Sequence, residues 1–297
     1  MAETNITEFD LIFLSYDEPN AEKHWADLVE KAPWAKRVHG VKGFDAAHRA
    51  CAEQSETDWF ITVDGDNTVR GEFFDITVNV DPTTNPRQCF SWNGLNAING
   101  LSYGNGGLKL WSKQFVLSMN THENADDPRK AVDFCWEHDY RQMHQTYSDV
   151  WNNGSPYQAF RVGFREGVKL ALNRGDRVSA EMMKTVLHPV NLRNLKIWSS
   201  VGAHIENGLW AMYGARMGWL KMCDPAWDHT VVRDYDWFQQ FWTEEAETLQ
   251  HNLSAGWVAP ALAHIGEQIT QATKINLPML DPKASAFFRE TMELRNE

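Results

Sequence analysis

Trp59-Phe60-Ile61-Thr62-Val63-Asp64-Gly65-Asp66-Asn67 decides how the chain is read: five strand-forming residues run straight into two carboxylates separated by a glycine. Residues 59–63 have the aromatic and β-branched character of a central strand and are too few for a helix. The polar break places Asp64 and Asp66 at the strand's carboxyl end, the edge at which open α/β sheets bind ligands. Side chains at i and i+2 of a strand point to the same face only while the strand continues straight; here Gly65 allows the chain to turn, so that both carboxylates can meet one ion. Hard oxygen donors suit Mg²⁺ or Mn²⁺. The same triplet also serves as an ordinary solvated turn. An EF-hand loop is excluded, because Thr68 and Val69 stand where an oxygen ligand and a glycine are required, and Asp75 where the bidentate glutamate belongs.

Upstream, the apolar run Asp10–Ser15 reads as another buried strand, and it ends in Tyr16-Asp17-Glu18-Pro19-Asn20. Asn20 can cap a helix whose Trp25, Leu28 and Val29 share a face, with Pro33 ending it. A short strand over residues 35–39 leads through Gly40-Val41-Lys42-Gly43 to a second helix from about Asp45, with Ala47, Ala50 and Cys51 facing inward. Strand, helix, strand, helix, strand within 67 residues predicts right-handed crossovers and a parallel sheet. Neither the P-loop pattern nor Gly-x-Gly-x-x-Gly occurs. Lys42 stands where a helix N-terminus and a cation approach a phosphate, and equally where an exposed loop lysine would stand.

Downstream, strands are expected over residues 75–80 and 88–92, around a loop bracketed by Pro82 and Pro86. The stretch from Ser91 to Trp111 carries glycines at 100, 104, 106 and 107 among several asparagines, a composition that suits a sugar pocket or a β-hairpin with Asn-Gly turns. A helix is expected over 131–147. Another is expected over 157–172, where Phe160, Phe164, Val168 and Leu172 recur every fourth residue and Arg161 and Arg165 lie on another face. A short helix at 179–187 and a helix at 209–217, closed by Gly218, precede a strand at 219–222. From Asp224 the chain is acidic, aromatic and helical to about Lys274.

The composition is that of a globular protein, with 43% hydrophobic and 23% charged residues. The net charge of −12 opposes non-specific binding of nucleic acid or anionic membranes. Cations nonetheless outnumber anions between Phe160 and Ile197, which reads either as solvated helix faces or as a local contact for a polyanion. Four separated cysteines, Cys51, Cys89, Cys135 and Cys223, point to reduced thiols. No apolar run is long enough for a bilayer and no signal peptide is apparent, so a cytoplasmic protein without a membrane partner is expected. Most of the fourteen tryptophans should be core.

The strand ending in Ser-Tyr-Asp, the small-residue helix from Gly43 through Ala47 to Cys51, the Trp-Phe-Ile-Thr-Val strand and the Asp-x-Asp together resemble the nucleotide-sugar half of a GT-A glycosyltransferase over residues 10–111. The helix-strand unit at 202–222 resembles the second part of that fold. Ser15-Tyr16-Asp17-Glu18-Pro19-Asn20, Val38-His39-Gly40-Val41-Lys42-Gly43, Asn99-Gly100 with Tyr103-Gly104-Asn105-Gly106-Gly107, and Phe160-Arg161-x-x-Phe164-Arg165-Glu166 are similar to glycosyltransferases of tailed bacteriophages, some of which act on hydroxylated pyrimidines of viral DNA.

The resemblance implies an α/β, Rossmann-like mixed sheet flanked by helices with an α-rich C-terminal region, residues 1–222 forming the catalytic domain and 223–297 a helical extension. Asp64 and Asp66 would hold Mn²⁺ or Mg²⁺ against the diphosphate of a UDP-sugar, with Asp66 also counted as catalytic. Ser15, Tyr16, Asp17, Lys42, Gly43, His48, Gly106 and Gly107 would meet the donor. His204, with His188 behind it, would complete the metal shell, and Glu206 would be the base of an inverting reaction. Trp92, Asn93, Arg161 and Arg165 would meet the acceptor, double-stranded DNA with hydroxylated bases in a host cytoplasm. A glycan or protein acceptor, a sugar nucleotidyltransferase and a non-catalytic carbohydrate-binding module remain as alternatives.

Overall fold

The computed structural model describes residues 3–81, 86–104, 106–135, 137–253 and 258–294, with side chains except at 246–253 and 293–294. Pro82, Asn105 and residues 254–257 of the expected C-terminal helical tract lie outside the described residues. The chain divides into two compact units. The first comprises residues 1–97, 102–123 and 134–151, and the second residues 98–101, 124–133 and 152–297, so the division runs through the 1–222 span read above as one domain.

The first unit runs β1 (Glu3–Asn5), β2 (Asp10–Ser15), α1 (Ala21–Lys31), β3 (Lys36–His39), α2 (Phe44–Gln54), β4 (Trp59–Asp64), β5 (Asn67–Val69), β6 (Thr77–Asn79), β7 (Cys89–Asn96), β8 (Ser102–Tyr103), β9 (Leu108–Ser112), α3 (Lys113–Ser118) and β10 (Tyr140–Val150). Among the described residues, eight strands join in one mixed sheet of order β3-β2-β4-β9-β7-β10-β5, with β8 beside β7. β2 is parallel to β3 and β4, as the alternating pattern predicts, and β4 is antiparallel to β9. Alternate residues feed two cores: Leu11, Phe13, Ile61 and Val63 on one face, Ile12, Phe60, Trp111 and Phe115 on the other. Burial on both faces is why these strands read as unbroken apolar runs.

Topology forces this sheet to curl. β5 is four strand positions from β4, about 19 Å in a flat sheet at the usual spacing. Only Gly65 and Asp66 separate them in sequence, a link that reaches about 11 Å at full extension. The strands from β4 to β5 must therefore bend round until the last returns to the first. Register shifts in β10 at Met143/Thr146 and Thr146/Ser148 supply irregularities of the kind that bend strands.

Residues 140–147, expected within a helix, belong to β10. Their polar side chains give no clear apolar face, and pairing with β7 on one side and β5 on the other decides the conformation. Asn93-Gly94, a hairpin-turn signal, lies inside β7, where a side chain at Gly94 would strike Val150 and Gly106.

The second unit contains α4 (Pro156–Leu170), a small hairpin of β11 (Leu172–Asn173) and β12 (Asp176–Arg177), α5 (Met183–Val186), α6 (Pro189–Trp198), α7 (Gly208–Met222), α8 (Tyr235–Leu253), α9 (Val258–Thr273) and α10 (Pro282–Leu294). The helical C-terminal region is thus as expected. Ser155 caps α4 through the Gln158 amide. α7 runs straight through Gly218, so the expected helix stop and the strand at 219–222 are both replaced by helix. Gly163 and Gly167 of α4 face the carbonyls of Ala211 and Ala215, while Gly214 and Gly218 of α7 face those of Phe160 and Phe164. The glycine that reads as a terminator is a contact point where two helix backbones touch. Phe160 and Phe164 then reach past this seam to Phe241, and Phe160 to Trp242.

A methyl group at Gly214 has no room, whereas one at exposed Gly71 meets open space. Gly214→Ala is therefore expected to lose at least about 2 kcal/mol, by overpacking. Gly71→Ala should stay within about 0.5 kcal/mol of the parent. Urea midpoints of the two variants check this.

Candidate active site

The two aspartates occupy the β4–β5 turn. Asp64 ends β4, and its amide donates to the Gly107 carbonyl at 2.9 Å. The His24 Nδ1–H of α1 donates to the Gly65 carbonyl at 3.0 Å. The Trp151 amide donates to the Asp66 carbonyl at 2.7 Å, and Asn67 Nδ2 donates to Asp66 Oδ1 at 2.7 Å. The turn is therefore gripped from α1, from β5 and from the end of β10.

Two charged groups that the sequence reading passed over complete this cluster. Glu18 accepts the Tyr16 amide through Oε2 at 2.8 Å and lies against Gly65, where a Cβ would stand only 2.5 Å from that oxygen. Burial, with Asp66 and Asp17 adding, pushes the Glu18 carboxyl above its ordinary range. Lys109, 5% exposed in the middle of β9, donates to the Gly106 carbonyl at 2.8 Å. A lysine inside Leu108-Lys109-Leu110-Trp111 was visible as a charge in an apolar strand, and that was the available signal. Asp64 is pushed up to about 7, chiefly by burial; Lys109 opposes this, and Asp66 and Glu18 reinforce it. One buried cation faces three carboxylates, an imbalance that favours a further cation.

Among the described residues, no group of three or more His, Cys, Asp or Glu side chains is placed to hold a metal unaided. Two hard carboxylates fit a divalent ion whose remaining positions are filled by phosphate oxygens and water. Gly107 keeps the approach clear, since a side chain there would collide with the Asp64 carboxyl group and Asn67.

Of the other expected site residues, Ser15 also stands against the turn, its Cβ 3.0 Å from where a Cβ on Gly65 would lie. Ser15 ends β2 with its Oγ 3.0 Å from His39 Nδ1 and accepts from Arg37 Nε at 3.2 Å, while Tyr16 and Asp17 are exposed on the loop beyond. Lys42 is exposed, and Gly43, at φ 97°, precedes α2. Glu123 Oε2 accepts the Asp45 amide at 3.2 Å, so a carboxylate of the chain itself occupies the helix N-terminus reserved above for a phosphate.

His48 is a core residue: it is bonded to the Phe44 carbonyl at 2.9 Å, its ring packs on Phe44 and Trp111, and burial pushes it down to about 4. Trp92 is 1% exposed against Phe73, because its position in β7 points it into the core. Asn93 is tied to β10, donating to the His144 carbonyl and accepting from Gln142 Nε2.

In the second unit, Arg161 lies over the Tyr235 ring at 4.6 Å, and Arg165 Nη2 donates to the Val132 carbonyl at 3.5 Å. His188 caps α6 through the Val190 amide. His204 Nδ1 is 2.9 Å from Ser285 Oγ, and its buried Nε2 has no hydrogen bond. Glu206 is exposed, with its backbone carbonyl accepting from Asn153 Nδ2. Cys51 and Cys89 are buried, none of the four cysteines forms a disulfide with a described residue, and no described helix is long and apolar enough to cross a membrane.

No protein-family model matches the chain, and no curated protein sequence does. Among solved structures, it is similar to a glycosyltransferase involved in glycosylation of the major capsid of PBCV-1, at 12% identity and TM-score 0.31, over 48% of this chain and 94% of that one. It is also similar to HddC from Yersinia pseudotuberculosis, at 14% identity and TM-score 0.25, over 51% of this chain and 76% of that one. Likenesses of this size define no family.

Because the folded protein holds Asp64 protonated up to about pH 7 while the unfolded chain ionises it near 3.8, stability from this group is full below pH 4 and is lost as pH rises through 7. Metal-free protein should lose on the order of 2 to 4 kcal/mol from this source between pH 4 and pH 8, allowing for partial exposure. Asp64→Asn should flatten the profile, as read by urea melts across pH.

Proposed function

We propose that the protein is a metal-dependent glycosyltransferase that moves a sugar from a UDP-linked donor to a hydroxyl on a hydroxylated or hydroxymethylated pyrimidine in DNA. The observation that carries this reading is the Asp64-Gly65-Asp66 turn at the carboxyl end of β4, with Glu18 and Lys109 buried beside it. The choice of acceptor rests on the resemblance of the Ser15–Asn20 and Gly104–Gly107 motifs to phage enzymes.

In this reading Asp64 and Asp66 hold Mn²⁺ or Mg²⁺, which supplies Lewis-acid stabilisation of the departing diphosphate. Each remaining element has a task. Asp64, pushed up to about 7, would have to be ionised to hold the cation, so binding of donor with metal is expected to release a proton near neutral pH. Lys109, fixed on the Gly106 carbonyl, keeps the ionised Asp64 from being an unpaired buried charge. The His24 and Trp151 hydrogen bonds hold the turn rigid, which keeps the carboxylates oriented before substrate arrives. Tyr16 and Asp17 are free on their loop to meet the nucleoside. The acceptor oxygen forms its bond to the sugar's anomeric carbon as the bond from that carbon to the diphosphate oxygen breaks, and the hydroxyl proton passes to water or to the departing diphosphate.

Incubation with Mn²⁺, a panel of UDP-sugars and DNA bearing 5-hydroxymethylcytosine or only unmodified bases tests the proposal, with UDP release and nucleoside masses read from the same tubes. The expected result is a sugar mass on the hydroxylated base alone. Asp66→Asn should lower the rate at least about 100-fold, in the range seen when a charge-stabilising group is removed. UDP release without nucleoside gain would discard the DNA acceptor. Absence of both signals with every donor would discard the transferase.

A further inference from the structure

We propose that the second unit carries a groove that binds the phosphodiester backbone of a nucleic-acid strand, built by the turn between β11 and β12, the end of α5 and one face of α6. A cavity of about 720 Å³ is lined there by Arg174, Lys184, His188, Arg193 and Lys196, with Leu187 and Leu192 among its apolar residues. In a chain of net charge −12, no lining residue is acidic. Arg174, Lys184 and Lys196 make no ion pair with any described residue, and Arg193 donates only to Asn194 Oδ1. Four permanent cations converging on one cavity repel each other, and phosphates relieve that repulsion.

Two local features point the same way. The β11–β12 turn places Arg174 at φ 55° and Gly175 at φ 86°. Such a turn is ordinarily filled by Asn-Gly or Asp-Gly, so an arginine here sets a cation at the groove against backbone preference. On α6, Pro189, Leu192, Arg193 and Lys196 share one face at spacings of three and four, and the helix N-terminus opens at the same place. Four cations exceed what a single phosphate needs, and the apolar residues between them suit the sugars and bases of a strand. Arg161 and Arg165, occupied by Tyr235 and the Val132 carbonyl, are replaced in this role. The inference rests on the groove and goes beyond the transfer chemistry proposed above.

The test is fluorescence anisotropy of the full chain with a labelled 20-nucleotide DNA, single-stranded and duplex, between 50 and 200 mM NaCl. Affinity for duplex should fall with salt at a logarithmic slope of about −3 to −4, from roughly 0.9 per phosphate neutralised. Arg193→Glu with Lys196→Glu should weaken binding at least tenfold and flatten the slope by about 2. Lys23→Glu, an exposed charge reversal on α1, should leave binding unchanged, with thermal melts confirming that each variant folds. DNA binding that the double variant does not alter overturns the proposal. So does binding of inorganic phosphate, pyrophosphate or phosphatidylserine vesicles at these residues without binding of DNA. UDP release that persists when DNA binding is absent would sink this inference and leave the transferase standing.

Discussion

The structure of the first unit depends on the length of one connection. Gly65 and Asp66 are too short a link to cross a flat sheet from β4 to β5, so the intervening strands must close round, and whatever stands on that link is carried to the place where the curl meets itself. Asp66 stands on it and Asp64 at its start. The site is therefore a by-product of closure: the His24, Trp151 and Asn67 hydrogen bonds that secure the turn mechanically are also the ones that orient the carboxylates. Charge follows from the same geometry. Closure buries Asp64, burial raises its proton affinity, and Lys109 is the one buried lysine among the described residues to offset the carboxylates around it.

Much of this was legible in the sequence where local pattern and burial agree. β2 and β4 are apolar on both faces, so their runs are unmistakable, and the parallel arrangement follows from the helices between them. β10 was illegible because its conformation is imposed by two partner strands distant in sequence rather than by its own polar residues. Gly218 misled for the opposite reason: glycine's local preference is to end a helix, and here its missing side chain serves a neighbouring backbone. Asp64-Gly65-Asp66 could be placed from sequence at the end of an apolar strand, and the structure has it there. Trp92 packs in the core and Asn93 is tied to β10, surroundings that composition cannot give. Glu18 was overlooked because nothing local distinguishes a carboxylate that turns inward from one that stays in water, whereas Lys109 carried a signal in its place within an apolar strand.

The second unit solves its packing differently. Where α4 meets α7 the helices touch through glycine and alanine, so contact is made by backbone, and the aromatic side chains of Phe160 and Phe164 are released to pack α8. Arg216 of α7 adds a polar fastening. At 1% exposure it donates to the carbonyls of Ser199, Leu262 and Pro278 and has no carboxylate partner; burial lowers it to about 10, so it stays charged at neutral pH. Three segments share one rigid, forked donor, a task lysine's single ammonium could not meet with the same geometry.

The tip between β7 and β8 has a consequence in time. Residues 98–101 leave the first unit's sheet and belong to the second, where Gly100, at φ 73°, touches the backbone of Arg289 and Ile98 meets Gly202. On the ribosome this tip emerges well before α10, whose residues supply its contacts. The nascent chain can assemble the central strands of its sheet, yet it must carry an unmated apolar tip until α10 is made. Its exposure to chaperones and to aggregation is thereby set by the rate of elongation as much as by the stability of the finished fold.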